Sequence, residues 1–150
     1  MTWRLTVAAV IEREGRYLLV EEAEGATGTR VFNQPAGHVE PGESVLDAVV
    51  REVREETGLD FTSTAFLGLY QLRAADGRDY LRVCFVGTVP PDEAPQPEDP
   101  DILGCAWVEG REVPGLALRS PLVRRCVEDY EAGRRLPLEA VATYVTASGR

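Results

Sequence analysis

Glu52, Glu55 and Glu56 are the residues most ready for chemistry, because spacings of three and four put all three carboxylates on one side of a helix. Like charges so placed weaken a helix by roughly 0.2–0.5 kcal/mol per pair. Arg51 and Arg54 relieve only part of that repulsion. An acidic face that gains nothing for folding supplies what a hard divalent cation requires, several carboxylate oxygens in one place. A cation held there can activate water, which is the chemistry such a group could support. Taken alone, three glutamates fit a solvated helix face equally well, since Glu favours helix.

Their surroundings separate the two readings. Gly37, Glu43, Arg51 and Gly58 stand at fixed offsets around the acidic group, giving a loop, a helix and a loop between Gly37 and Leu59. Ser44 can cap that helix, with Asp47 three residues on completing a capping box. Leu46, Val49, Val50 and Val53 form an apolar stripe at helical spacing, and Gly58 supplies a left-handed stop.

The pattern Gly37, five residues, Glu43, seven residues, then Arg51-Glu52-Val53-Arg54-Glu55-Glu56-Thr57-Gly58-Leu59 resembles the Nudix box at every defined position. That resemblance implies a Nudix-like α/β/α sandwich with a mixed sheet. It also implies roles for individual residues. Glu52 and Glu56 are the principal metal ligands, Glu55 is a further ligand or the group that activates water, and the Gly37 carbonyl completes the cation site. Glu43 and Arg51 orient the loop and helix behind them. The implied cofactor is Mg²⁺, with Mn²⁺ as the alternative. Asn33 to His38, Leu81-Arg82, Leu118 to Val123 and Pro137 to Glu139 also resemble one bacterial phosphatase branch of the family. Members of that branch act on nucleoside tri- and diphosphates and on thiamin-related pyrimidine pyrophosphates, which sets the substrate range the resemblance implies.

Four residues outside the box are candidate substrate contacts: Gln34, His38, Arg82 and Arg119. His38 is the single histidine and adjoins Gly37, where it can donate to a phosphate or serve the turn. Arg82 binds a phosphate if its strand turns it inward and only aids solubility if it points outward. Arg119 precedes a helix start, a place suited to anions. Glu98, Asp99 and Asp101 form a second acidic group, from which Asp101, nearest the following strand, is the preferred extra carboxylate, against a solvated loop. Trp3 and Trp107 are expected in the core, unless one stacks on a base. Cys84, Cys105 and Cys126 lack a neighbouring histidine to activate them and are expected as reduced, buried thiols.

The elements that must position these groups follow from punctuation and periodicity. Trp3 to Ile11 and Tyr17 to Val20 pair as a hairpin through Glu14-Gly15. Glu21 to Arg30 is polar and Gly-rich, and is expected as a loop before the short extended stretch Val31 to Gln34. Thr64 to Leu72 and Tyr80 to Val89 form a second hairpin through Asp76-Gly77. Pro90 to Pro100, with five prolines and four acidic residues, is an exposed loop. Leu103 to Val108 is a strand, and Ser120-Pro121 opens a helix running to about Glu131, with Gly133 as its stop. Thr146 to Arg150 reads as a frayed tail.

The 150 residues fit one domain with an adequate core. A formal charge of -9 argues against nucleic acid and anionic membrane as partners. The apolar run from Leu5 to Ile11 is too short to span a bilayer and is followed at once by Glu12, Arg13 and Glu14. A cytoplasmic enzyme acting on a small diphosphate is therefore expected, as a monomer, with a dimer the alternative. Two rival readings are a non-catalytic nucleotide-binding sensor, whose mark would be a degraded box, and an RNA-end pyrophosphohydrolase, which the acidity disfavours.

Overall fold

Val7 to Ile11 is an unbroken apolar run, and such a run belongs to a strand covered on both faces. The computed structural model, which describes residues 3–147, bears this out. In β1 (Trp3–Arg13), Val7, Ala9 and Ile11 enter one core cluster while Ala8 and Val10 enter another on the opposite face. The remaining elements are β2 (Arg16–Glu24), β3 (Thr29–Asn33), β4 (Ala36–His38), α1 (Val45–Thr57), β5 (Thr62–Arg73), β6 (Asp79–Thr88), β7 (Ile102–Glu109) and α2 (Pro121–Glu131).

Strand β1 organises a mixed seven-stranded sheet. It runs parallel to β6, with Val7 opposite Val83, and antiparallel to β4, with Thr6 opposite His38. Its far end pairs with β2, which is flanked in turn by β3 and β7. Glu14 and Gly15 both take positive φ, 53° and 80°, as a tight hairpin turn between twisted strands requires. Helix α1 packs on one face through Ala48, Val49 and Val53, and α2 on the other through Val123, Cys126 and Val127. The expected α/β/α sandwich with a mixed sheet is thus the observed architecture.

Some local expectations need correction. Glu21 to Arg30 is mostly strand, with only residues 25–28 left as the connection. Its polar residues are carried on exposed sheet positions and tied across the strands, as Arg30 is to Glu21 at 2.7 Å. Val50 lies 40% exposed, because the buried stripe of α1 runs through Ala48, Val49, Val53 and Glu56. Trp3 is 48% exposed, whereas Trp107 is partly buried with the Arg13 guanidinium 4.5 Å above its ring. Cys84 and Cys126 are buried free thiols and Cys105 is half-buried. Of the expected frayed tail, residues 148–150 lie outside the described residues. Among the described residues no helix is long and apolar enough to cross a membrane.

The proline-rich loop is exposed but anchored. The Gln96 amide donates to the Thr57 carbonyl at 2.7 Å, and the Glu98 and Asp99 amides both donate to the Glu55 carbonyl at 2.9 Å. These bonds satisfy carbonyls left open at the end of α1. Gly58 closes the helix at φ 72°, and the Gln96 carbonyl occupies the space a Cβ would need there.

Candidate active site

Helix α1 carries the acidic group in a fixed orientation because both of its ends are closed. Ser44 Oγ accepts from the Asp47 amide at 3.0 Å, and the Gly58 amide donates to the Arg54 carbonyl at 2.8 Å. On this rigid rod Glu56 falls on the core-facing stripe, only 7% exposed. Its Oε1 accepts from the Ala36 amide at 2.8 Å, which joins the helix to β4. Burial pushes its carboxyl up to about 9, and the charges of Glu52, Glu22 and Asp99 add to the effect. Glu52 is raised too, first by burial, although its bond to Arg51 works the other way.

Gly37 and Glu52 meet at close quarters. A Cβ on Gly37 would fall within the Glu52 carboxylate, so only glycine lets β4 approach the helix this way. Arg51 then ties loop to helix. Its Nε and Nη2 donate to the two Glu43 oxygens at 2.6 and 2.9 Å, and Nη2 also reaches the His38 carbonyl at 2.9 Å. Its Nη1 donates to Glu52 at 2.9 Å and to Glu55 at 3.3 Å. The bond from Arg51 holds the Glu43 carboxyl below its usual range. Among the described residues no three His, Cys, Asp or Glu side chains converge as a preassembled metal cage. Glu52 and Glu55 turn to Arg51, and Glu56 to the Ala36 amide. The donor set nevertheless suits a hard divalent cation. It consists of carboxylate oxygens, two of them on acids whose burial disfavours the charged form until a counter-charge arrives.

Beside Gly37 opens a cleft of ≈ 350 Å³, near the small end of the range for ligand sites. Its floor follows the sheet. His38, Thr6 and Arg82 are neighbours across β4, β1 and β6, which sets the Arg82 and Gly37 Cα atoms about 10 Å apart. Leu72 and Tyr80 lie one row further along, and Arg119, Ser120 and Leu122 form the opposing wall.

Each candidate from the sequence can now be placed. Arg82 points inward and is 7% exposed; its Nη1 donates to Gln34 Oε1 at 2.8 Å. Gln34 does not reach the cleft. It is 1% exposed and its Nε2 donates to the Ala9 carbonyl at 3.3 Å, so it lies beneath Arg82 and not beside a ligand. Arg119 lines the cleft, half-exposed, 3.4 Å from Glu22. His38 also lines it; partial burial, and then Arg4, hold its imidazole below the usual value, which favours the neutral ring. Asp101 is exposed and its amide donates to Asp99 Oδ1 at 2.8 Å. The loop carboxylate whose charge reaches Glu56 is Asp99, not Asp101. Its amide is tied to the Glu55 carbonyl, which draws that part of the loop against the helix.

Glu22 was hidden in the segment read as a loop, although it lines the cleft and faces Glu56. The apolar run Leu18 to Val20 gave way there to Glu21, Glu22 and Glu24 with no alternation to mark a continuing strand. Asn33, Thr6 and Tyr80 line the cleft as well; Asn33 opens a stretch that resembles the phosphatase branch, whereas no motif singled out Thr6 or Tyr80.

Known proteins resemble this chain in sequence and in fold. The family model for the NUDIX domain matches residues 2–128. The chain is 38% identical over 141 residues to the phosphatase NudJ of Escherichia coli strain K12, covering 93% of this chain and 91% of that protein. The phosphatase NudJ of Shigella flexneri matches to the same extent. A NUDIX hydrolase structure from Nitrosomonas europaea superposes with a TM-score of 0.86 at 44% identity, covering 94% of this chain and 97% of that one. A MutT NUDIX hydrolase from Burkholderia pseudomallei shares the fold, with a TM-score of 0.70 at 24% identity.

Proposed function

The chain belongs to the NUDIX family of hydrolases, and from that premise we propose that it cleaves phosphoanhydride bonds in nucleoside di- or triphosphates or related small pyrophosphates, pyrimidine pyrophosphates of the thiamin pathway among them. The observation that carries this reading is the contact of Glu52 with Gly37 and of Glu56 with Ala36, two β4 residues that line a small cleft also holding two arginines.

Family members generally use divalent cations, and Glu52, Glu55, Glu56 and the Gly37 carbonyl are the groups that would hold Mg²⁺ or Mn²⁺ here. Such an ion, when bound, polarises phosphoryl oxygens and lowers the pKa of water. It also offsets the repulsion between an acidic protein and a polyphosphate. The protein's own groups supply the remainder. Arg51 ties Glu52 and Glu55 to the Glu43 loop, so a cation would share these carboxylates with its guanidinium. Glu55, the most exposed of the three helix glutamates Glu52, Glu55 and Glu56, would accept the proton of the attacking water. Water oxygen bonds to phosphorus, the bridging P–O bond breaks, and the leaving phosphate carries away the bonding pair. Arg82 and Arg119 bind substrate oxygens and orient them. The NudJ similarity supports a compact, phosphate-bearing substrate.

The test is a screen of nucleoside di- and triphosphates, dinucleotides and pyrimidine pyrophosphates with Mg²⁺ or Mn²⁺, with product analysis. Glu56→Gln is expected to fold normally and lose cation-dependent turnover. Turnover retained in Glu56→Gln, or binding with no turnover in the unaltered chain, would refute the reading.

A further inference from the structure

Arg82 stands apart from the other cations near the site. It is 7% exposed, yet among the described residues no carboxylate lies within ion-pair distance of it. Its Nη1 bonds to a neutral partner, Gln34 Oε1, the Cys84 and Cys126 thiols lie near enough to feel its charge, and its Nε is buried with no hydrogen-bond partner. A buried charge left in that condition is costly unless another group completes it. The cleft wall that Arg82 forms is where such a group can arrive.

The choice of partner matters. Gln34 is itself fixed, with Nε2 donating to the Ala9 carbonyl at 3.3 Å and to Cys84 Sγ at 3.6 Å. It therefore presents Oε1 upward as a rigid acceptor. A glutamate of the same length would make the same bond and neutralise the guanidinium internally, while losing the donor that the Ala9 carbonyl accepts. An amide aims Arg82 without consuming its charge.

We propose that Gln34 is a positioning residue that holds Arg82 as a fixed, uncompensated receptor for an anionic or strongly accepting oxygen of the substrate. The inference deepens the hydrolase reading and rests on it. The oxygen can come from the phosphate chain or from the organic group that lies against Tyr80, Leu72 and Leu122. Register places Tyr80 about 14 Å and Arg82 about 10 Å from Gly37, so both sources are in reach of a small nucleotide.

Two non-hydrolysable probes separate the sources in the presence of Mg²⁺: methylenediphosphonate, which has no organic group, and the methylene-bridged analogue of uridine diphosphate. Dissociation constants are measured by calorimetry for the unaltered chain, Gln34→Glu, Gln34→Met, Arg82→Met and the two double variants. Gln34→Glu pairs the buried guanidinium but sets a carboxylate oxygen against the Ala9 carbonyl, so a modest fall in melting temperature is expected, together with binding weakened by about 10- to 100-fold. Loss for both probes assigns the phosphate chain as the source, and loss for the uridine analogue alone assigns the organic group. Adding Arg82→Met to either Gln34 variant is expected to cost little more, because both changes act through one guanidinium. Unchanged affinity in folded Gln34→Glu overturns the proposal, as do fully additive losses in the double variants should Gln34→Glu itself fail to fold. Failure of the unaltered chain to bind either probe overturns it too. Cation-dependent turnover of the unaltered chain, measured separately, decides the hydrolase reading on its own.

Discussion

Glu56 makes the cation-free protein sensitive to pH in a direction that can be worked out in advance. Its carboxyl ionises near 4.5 when unfolded and is pushed up to about 9 when folded, chiefly by burial. Between those values the folded chain keeps a proton that the unfolded chain has released, so stability must fall as pH rises. The slope is about 1.4 kcal/mol per pH unit. From pH 5.5 to 7.5 it amounts to roughly 3 kcal/mol, on the order of 6–12 °C in melting temperature for a chain of this size. Glu56→Gln keeps an Oε1 that can accept from the Ala36 amide and has no proton to release. Its stability should therefore lack that downward component. The assay is urea unfolding of both proteins in chelator at pH 5.5, 6.5 and 7.5. His38, whose pKa is lowered, acts in the opposite direction but equally in both proteins, so it cancels from the difference. Added Mg²⁺ should stabilise the unaltered chain more as pH rises, because binding requires the deprotonated acid, and should do much less for Glu56→Gln. Parallel pH profiles for the two proteins in chelator would show that Glu56 is ionised in the fold and that the reasoning from its burial is wrong.

Other perturbations have equally definite outcomes. Arg51→Ala removes the donor shared by Glu43, Glu52, Glu55 and the His38 carbonyl, and should cost about 2–3 kcal/mol in urea unfolding, partly recovered by divalent cation. No change in stability would mean that the glutamates do not need it. Gly37→Ala displaces the Glu52 carboxylate, and kcat/KM should fall by about 10²-fold while most of the secondary structure signal remains. Gly58→Ala forces a Cβ into the left-handed region and against the Gln96 carbonyl; a loss above about 2 kcal/mol is expected by thermal melting. Glu55→Gln should lower kcat more than it raises KM if Glu55 accepts the proton of water, and an unchanged kcat would remove that role.

Much of the site was legible in the chain because it is local. Ser44, the spacing of Leu46, Val49 and Val53, and Gly58 define α1 by short-range rules, and the acidic residues ride on that helix. The hairpins at Glu14-Gly15 and Asp76-Gly77 were readable for the same reason. Positions governed by distant partners were not. Whether Arg82 points in or out depends on the parallel pairing of β6 with β1, and sequence separation conceals that pairing. Gln34 seemed a ligand contact until packing against Ala9 and Cys84 put it under the cleft. Asp99 gained its place over Asp101 from two loop amides bonding to the end of α1. Val50 and Glu56 exchanged expected environments because the rotation of the helix on the sheet chooses which stripe is buried.

By itself, then, the sequence determined a capped helix with glutamates at fixed offsets, which needs only neighbouring residues to specify it, and through the family resemblance of that segment it implied the hydrolase class and the fold. The tertiary structure decided which acid is forced to stay protonated, which arginine is left uncompensated and which glutamine aims it. Those properties come from burial and from register between remote strands, and neither exists until the two faces of the sheet are covered.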